Sequence, residues 1–115
     1  MHELSLAQGL VEQLEATAAK ENATRVVGLQ VVIGSYCGVE RDAFEFAFPF
    51  AAEGTVCEGA ELRIEELPVS VRCRRCNAIS HPAPILLVCG ACGANDVELT
   101  GGREFLIRSV ELEVP

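Results

Sequence analysis

Four cysteines set the tightest limit on how this chain can fold. Cys73-Arg74-Arg75-Cys76 is followed, twelve residues later, by Cys89-Gly90-Ala91-Cys92-Gly93. Two residues between the members of a pair let one tight turn aim both sulfurs at a single ion. About a dozen residues suffice for a hairpin that brings two such turns face to face, closing a tetrahedron of thiolates with Zn–S near ~2.3 Å. Small residues beside the second pair let backbone N–H groups approach the sulfurs. Four thiolates leave no open coordination position, so zinc here would fold the module and not catalyse. Three other readings compete. Two disulfides need an oxidising compartment. A thioredoxin-like pair needs one C-x-x-C at the start of a helix in a βαβ unit. A rubredoxin-like iron gains from an aromatic shell, and residues 69–100 contain no aromatic residue. Zinc is the favoured reading. Cys37 and Cys57 have no short-range partner and read as buried or incidental thiols.

Charge and length narrow the class. The 115 residues carry 17 acidic and 9 basic side chains, for a formal −8, and half are hydrophobic. That is enough apolar content for one packed core. An acidic balance argues against binding nucleic acid or anionic membranes, because phosphate attraction would have to overcome self-repulsion. No apolar run approaches the roughly 18 residues of a membrane span. The opening MHELSLAQGL has neither a basic segment nor an apolar one, so no signal peptide is visible and a cytoplasmic location is expected.

Hydrophobic spacing supplies the elements. Leu4, Ala7, Val11, Leu14 and Ala18 recur at intervals of three and four, predicting an amphipathic helix over 4–20. Residues 25–33 alternate and are rich in valine, predicting a strand that Gly34-Ser35 ends. Both faces of that strand are largely apolar, which suits a central or covered position. Residues 40–53 are ambiguous: Phe44, Phe46, Phe48 and Phe50 alternate as in a strand, while Phe44, Ala47, Phe48 and Ala51 form a helical stripe. The alanines and the acidic start favour a helix supplying much of the core, although Pro49 removes a donor. Strands are predicted over 60–68 and 103–114, the second with Leu106, Val110, Leu112 and Val114 on one face.

The segment between those strands differs in kind. Residues 69–100 hold four of the six cysteines and carry formal +1, against −9 for the remainder. Some 30 residues cannot bury enough surface to fold unaided, and a structural metal supplies the missing free energy. Arg72, Arg74 and Arg75 would offset the net −2 of a four-thiolate zinc site. The expected architecture is α+β: two helices on a three-stranded, mainly antiparallel sheet, with an inserted zinc-ribbon-like module. The expected domains are 1–68 together with 101–115, and the insert 69–100.

Of the two histidines, His81 lies in the loop between the cysteine pairs and reads as an exposed loop residue. His2 stands where the Met1 α-amine, its own amide nitrogen and its own ring are one chelate ring apart. Together they offer three nitrogens in a plane, with Glu3 able to add a donor. Square-planar, nitrogen-rich sites suit Ni(II) or Cu(II). Chance or tagging also produces a Met-His start, so these three residues alone leave the question open.

Met1-His2-Glu3, the amphipathic helix, Val31-Val32-Ile33-Gly34, Gly38-Val39-Glu40 leading into Phe46-Ala47-Phe48, and Ala52-Glu53-Gly54-Thr55 together resemble the HypA/HybF family. The paired C-x-x-C insert and the closing Gly102-Arg103-Glu104 and Ser109-Val110-Glu111 extend the likeness over essentially the whole chain. The resemblance implies a nickel metallochaperone of hydrogenase maturation, not an enzyme. It implies Ni(II) as cargo on His2, with Met1 and Glu3 contributing, and structural Zn(II) on Cys73, Cys76, Cys89 and Cys92. It also implies a HypB-type GTPase and the [NiFe]-hydrogenase large subunit as partners, and, since some relatives also support urease, urease maturation factors as further ones. Monomer and homodimer both fit. The competing classes are a zinc-ribbon adapter for nucleic acid or protein, favoured by the arginines, and an electron-transfer or redox enzyme.

Overall fold

The computed structural model describes residues 2–115. Eight elements follow in order: α1 (His2–Lys20), β1 (Arg25–Gly34), α2 (Arg41–Ala52), β2 (Glu61–Leu67), β3 (Ser70–Cys73), β4 (Ile79–Ser80), β5 (Val97–Gly101) and β6 (Phe105–Glu113). They form two three-stranded sheets, ordered β2-β1-β6 and β4-β3-β5. The chain divides into two compact units. One runs through Val31 and takes in Val39–Ile64 and Ile107–Pro115; the other is Val32–Gly38 with Glu65–Leu106.

In the first unit α1 and α2 pack on each other. The α1 stripe buries Ala7, Leu10, Val11, Leu14 and Ala18, as the spacing of three and four demands. Its end is a Schellman motif: Asn22 takes φ 57°, its N–H reaches the Ala19 carbonyl at 3.3 Å, and the Ala23 N–H reaches Ala18 at 2.8 Å. Central β1 is buried over most of its length, which accounts for its apolar character on both faces.

The α2 segment is helical, so the helical stripe prevails over the alternation. Helical period then divides the four phenylalanines: Phe44 and Phe48 are buried, whereas Phe46 and Phe50 are exposed, with ring centroids 5.3 Å apart. Only half of the aromatic run therefore enters the core. Glu40 caps the helix, accepting from the Asp42 N–H at 3.2 Å and the Ala43 N–H at 2.6 Å. Pro49 lies within the helix and on its exposed side. Solvent is the one place where the carbonyl it deprives of a donor can be hydrated.

In β6 the inward face changes phase. Phe105 and Ile107 are half-buried at the start, Val110 and Leu112 at the end, with Arg108 and Ser109 both exposed between them. Leu106 therefore faces outward, and Val114 lies beyond the strand, so neither shares the expected face. The second unit contains three short strands that hydrophobic pattern did not indicate. β3 pairs antiparallel with β4 and with β5, opposing Arg72 to both Ile79 and Glu98, and Cys73 to Val97.

Candidate metal centre

Two turns of the same design face each other in the second unit. In the first, the Arg75 and Cys76 N–H groups donate to Cys73 Sγ at 3.3 and 3.4 Å. In the second, the Ala91 and Cys92 N–H groups donate to Cys89 Sγ at 3.3 and 3.4 Å. Each turn is closed by the residue after its second cysteine. The Asn77 N–H reaches the Cys73 carbonyl and the Gly93 N–H reaches the Cys89 carbonyl, both at 2.9 Å. Both closing residues adopt positive φ, 65° and 77°, a conformation that Asn and Gly tolerate. The Ser80 hydroxyl accepts the Gly90 N–H at 3.0 Å, bracing the second turn.

The four sulfurs all lie within 4.8 Å of one another. Cys73 and Cys92 Sγ are 3.7 Å apart, and Cys76 and Cys89 Sγ 3.5 Å. A regular tetrahedron with Zn–S of about 2.3 Å has edges of roughly 3.8 Å, so the donor set fits that ion in number, type and spacing. At two sulfurs N–H donation favours the thiolate form. N–H donation from Cys92 and Ala91 brings Cys89 down to about 6, and donation from Cys76 and Arg75 lowers Cys73. Cys76 is pushed up to about 11: a hydrogen bond from Ala78 favours its thiolate, but its neighbours Cys89 and Cys73, together with desolvation, outweigh that.

Two of the three arginines beside the cysteines, Arg72 and Arg74, pair with carboxylates. Arg72 pairs with Glu98 across β3 and β5 at 3.0 and 3.3 Å and also reaches Asn77 Oδ1. Arg74 pairs with Asp96 at 3.1 Å and with the Val97 carbonyl. Their charge goes to carboxylates, and they tie the first turn to β5. His81 stays apart from the sulfurs, its Nδ1 3.0 Å from the Val69 carbonyl. Cys57 is fully buried in the first unit, where burial pushes its thiol up, and Cys37 is half-buried. Both are free thiols.

At the other expected site, Met1 lies outside the described residues. His2 is exposed, and its Nδ1 is 3.6 Å from Glu3 Oε2. The same carboxylate oxygen accepts the Glu40 N–H at 3.2 Å. That contact anchors the first turn of α1 to the start of α2, and it lowers the Glu3 pKa, with the His2 ring adding to the effect. Sequence reasoning placed Glu40 at the acidic start of the helix but missed its capping role and its tether to Glu3, because glutamate is not a preferred N-cap and nothing in spacing links residues 3 and 40. The tether needs the ionised carboxylate. It is complete above the ordinary carboxylate range and is lost as pH falls through the lowered Glu3 value. The Glu40 amide resonance is therefore expected to shift in acid with a midpoint below 4.5, and Glu3→Ala should abolish that transition. A transition unchanged in Glu3→Ala would show that another group drives it.

An α+β chain with a four-cysteine cluster, and with an exposed histidine beside a half-buried glutamate at the head of its first helix, is, by class, a small metal-handling protein. The comparisons agree. Residues 1–112 match the HypA family model, described as "Hydrogenase/urease nickel incorporation, metallochaperone, hypA". The chain is 42% identical over 113 residues to the hydrogenase maturation factor HypA of Desulfitobacterium hafniense, covering 98% of this chain and 99% of that one. It is 40% identical to the HypA of Nitrosospira multiformis over 97% of each. The solution structure of the Ni metallochaperone HypA from Helicobacter pylori matches with a TM-score of 0.67 at 30% identity, covering 98% of both chains. This chain belongs to the HypA family of hydrogenase-maturation metallochaperones.

Proposed function

We propose that the protein binds Ni(II) through Met1, His2 and Glu3 and delivers it to the [NiFe]-hydrogenase large subunit in the cytoplasm, without itself catalysing a reaction. Working with a HypB-type GTPase belongs to the same reading, as does supplying urease maturation in organisms that have it. The cargo domain is 1–68 with 101–115. Cys73, Cys76, Cys89 and Cys92 of the insert, 69–100, hold a structural Zn(II).

One observation carries the nickel reading. His2 and Glu3 stand together at the exposed head of α1, with Glu3 tethered to the Glu40 N–H, in a chain of this family. In protein made with Met1 as its first residue, the α-amine, the His2 amide and the His2 ring supply planar nitrogen donors. A cargo site must release as well as bind, and few donors at an exposed chain end exchange readily. The nitrogens lose protons on binding, so acid weakens affinity.

Calorimetric titration of Ni(II) into tag-free, zinc-loaded protein is expected to show about one site per chain, by the donor count above. One glycine added before Met1 should abolish that binding while leaving the zinc content and fold unchanged. Equal binding by both proteins would move the site away from the amino terminus. No binding by either would end the delivery reading.

A further inference from the structure

The outer face of α2 has no role in either metal site. Asp42, Glu45, Phe46, Pro49, Phe50 and Glu53 are all exposed, and they follow one another at spacings of three, one, three, one and three. That progression lies along one side of a helix. Phe46 and Phe50 are 72% and 60% exposed, one turn apart, with ring centroids 5.3 Å from each other. Phenylalanines are normally taken into the core, and a solvated pair of rings inclined at 55° on one helix face marks a contact surface. The stripe runs into a concavity of about 340 Å³ that shares Pro49 and Glu53 with it, is walled by Phe48 and Cys57, and has Glu58 at its edge.

Charge decides what covers this surface. Its apolar centre is flanked by Asp42 and Glu45 at one end and by Glu53 and Glu58 at the other, with no lysine or arginine among the stripe residues. A proline at 49 also deprives the Glu45 carbonyl of its helical donor, adding an acceptor beside the rings. A second copy of a chain with net charge −8 would meet repulsion here, and anionic lipid would be repelled by the same carboxylates. We infer that the Phe46–Phe50 stripe of α2 docks an amphipathic helix of another protein, with apolar anchors for the two rings and lysine or arginine for the flanking carboxylates. An amphipathic helix would meet this surface through apolar side chains at i, i+3, i+4 and i+7. The inference does not depend on where nickel binds.

The test is a selection from a displayed library of helical peptides, randomised on one face, against the full-length protein. Enriched sequences should combine apolar residues at i, i+4 with lysine or arginine. The synthesised consensus peptide should shift amide resonances between Asp42 and Gly54. Phe46→Ala/Phe50→Ala should bind that peptide at least about tenfold more weakly, as expected for aromatic anchors, and Glu45→Lys/Glu53→Lys should also weaken it. Both variants alter exposed side chains, and an unchanged amide spectrum elsewhere establishes that they fold. Four results would overturn the proposal: no enrichment, acidic consensus sequences, undiminished binding by the phenylalanine variant, or a protein dimer in sedimentation that this variant dissolves.

Discussion

Serine in place of Cys89 is expected to empty the four-thiolate site and unfold the sheet around it. Metal content should fall from about one zinc per chain to near zero, because a structural site needs all four ligands. The amide resonances of Val71 and Leu99, paired across β3 and β5, should collapse to unfolded positions, while those of the α1 stripe keep their dispersion. The size of the effect follows from how little else holds the unit. β3, β4 and β5 are four, two and five residues long. Structural zinc contributes on the order of 10–16 kcal/mol of apparent free energy in small modules, more than such strands gain from apolar burial. Cys57→Ala is the control: it removes a buried thiol from the first unit and should leave the metal content unchanged. Retention of zinc and dispersion by Cys89→Ser would show that the sheet stands on its own.

Proton release gives the same site a second signature. The metal-free Cys76 thiol sits at about 11 and Cys89 at about 6. At neutral pH Cys76 must lose its proton to bind and Cys89 has largely done so already. Affinity therefore rises with pH, and acid releases the metal by protonating the sulfurs.

What could be read from sequence divides along physical lines. The cysteine cluster was legible because C-x-x-C spacing constrains a turn locally, and because two such turns with four matched sulfurs admit few geometries. α1 was legible because one-sided burial imposes a helical period, and β1 because a valine-rich run closed by Gly34-Ser35 marks a strand even when both of its faces are apolar. α2 was legible as a helix but its faces were not: alternating phenylalanines assign themselves to core or solvent only when the helical period is known, and that period sends Phe46 and Phe50 outward. β3, β4 and β5 are too short to show a period at all. Their pairing is organised by the two cysteine turns and by Arg72 and Arg74, whose partners Glu98 and Asp96 lie more than twenty residues away. The Glu3–Glu40 tether escaped for the same reason, since a backbone N–H leaves no trace in side-chain pattern.

The least legible feature predicts the largest effect outside the metal site. Gly34 reads as the end of a strand and Gly102 as part of a turn, with nothing to say that they meet. In the second unit they are stacked backbone on backbone. A Cβ on Gly34 would overlap the Gly102 carbonyl and come within 2.8 Å of the Arg103 nitrogen. A Cβ on Gly102, which holds φ at 108°, would lie 2.9 Å from the Val69 Cα. Hydrogen bonds fix this approach from several directions: Gly34 N–H to the Glu104 carbonyl at 2.6 Å, Tyr36 N–H to the Gly102 carbonyl at 2.7 Å, and Gly102 N–H to Glu104 Oε1 at 2.8 Å. No flexible side chain is available to give way, so a methyl group at residue 34 must push two backbone segments apart and break these bonds. Gly34→Ala is expected to cost more than about 3 kcal/mol, in the range reserved for severe backbone and packing faults. Urea unfolding should show this as a lower midpoint at unchanged slope. Ser35→Ala, next in sequence but exposed, should remain within about 0.5 kcal/mol of the parent. If the two variants unfold alike, the segments around Gly34 and Gly102 can separate at little cost, and the glycine pair is not what closes this unit.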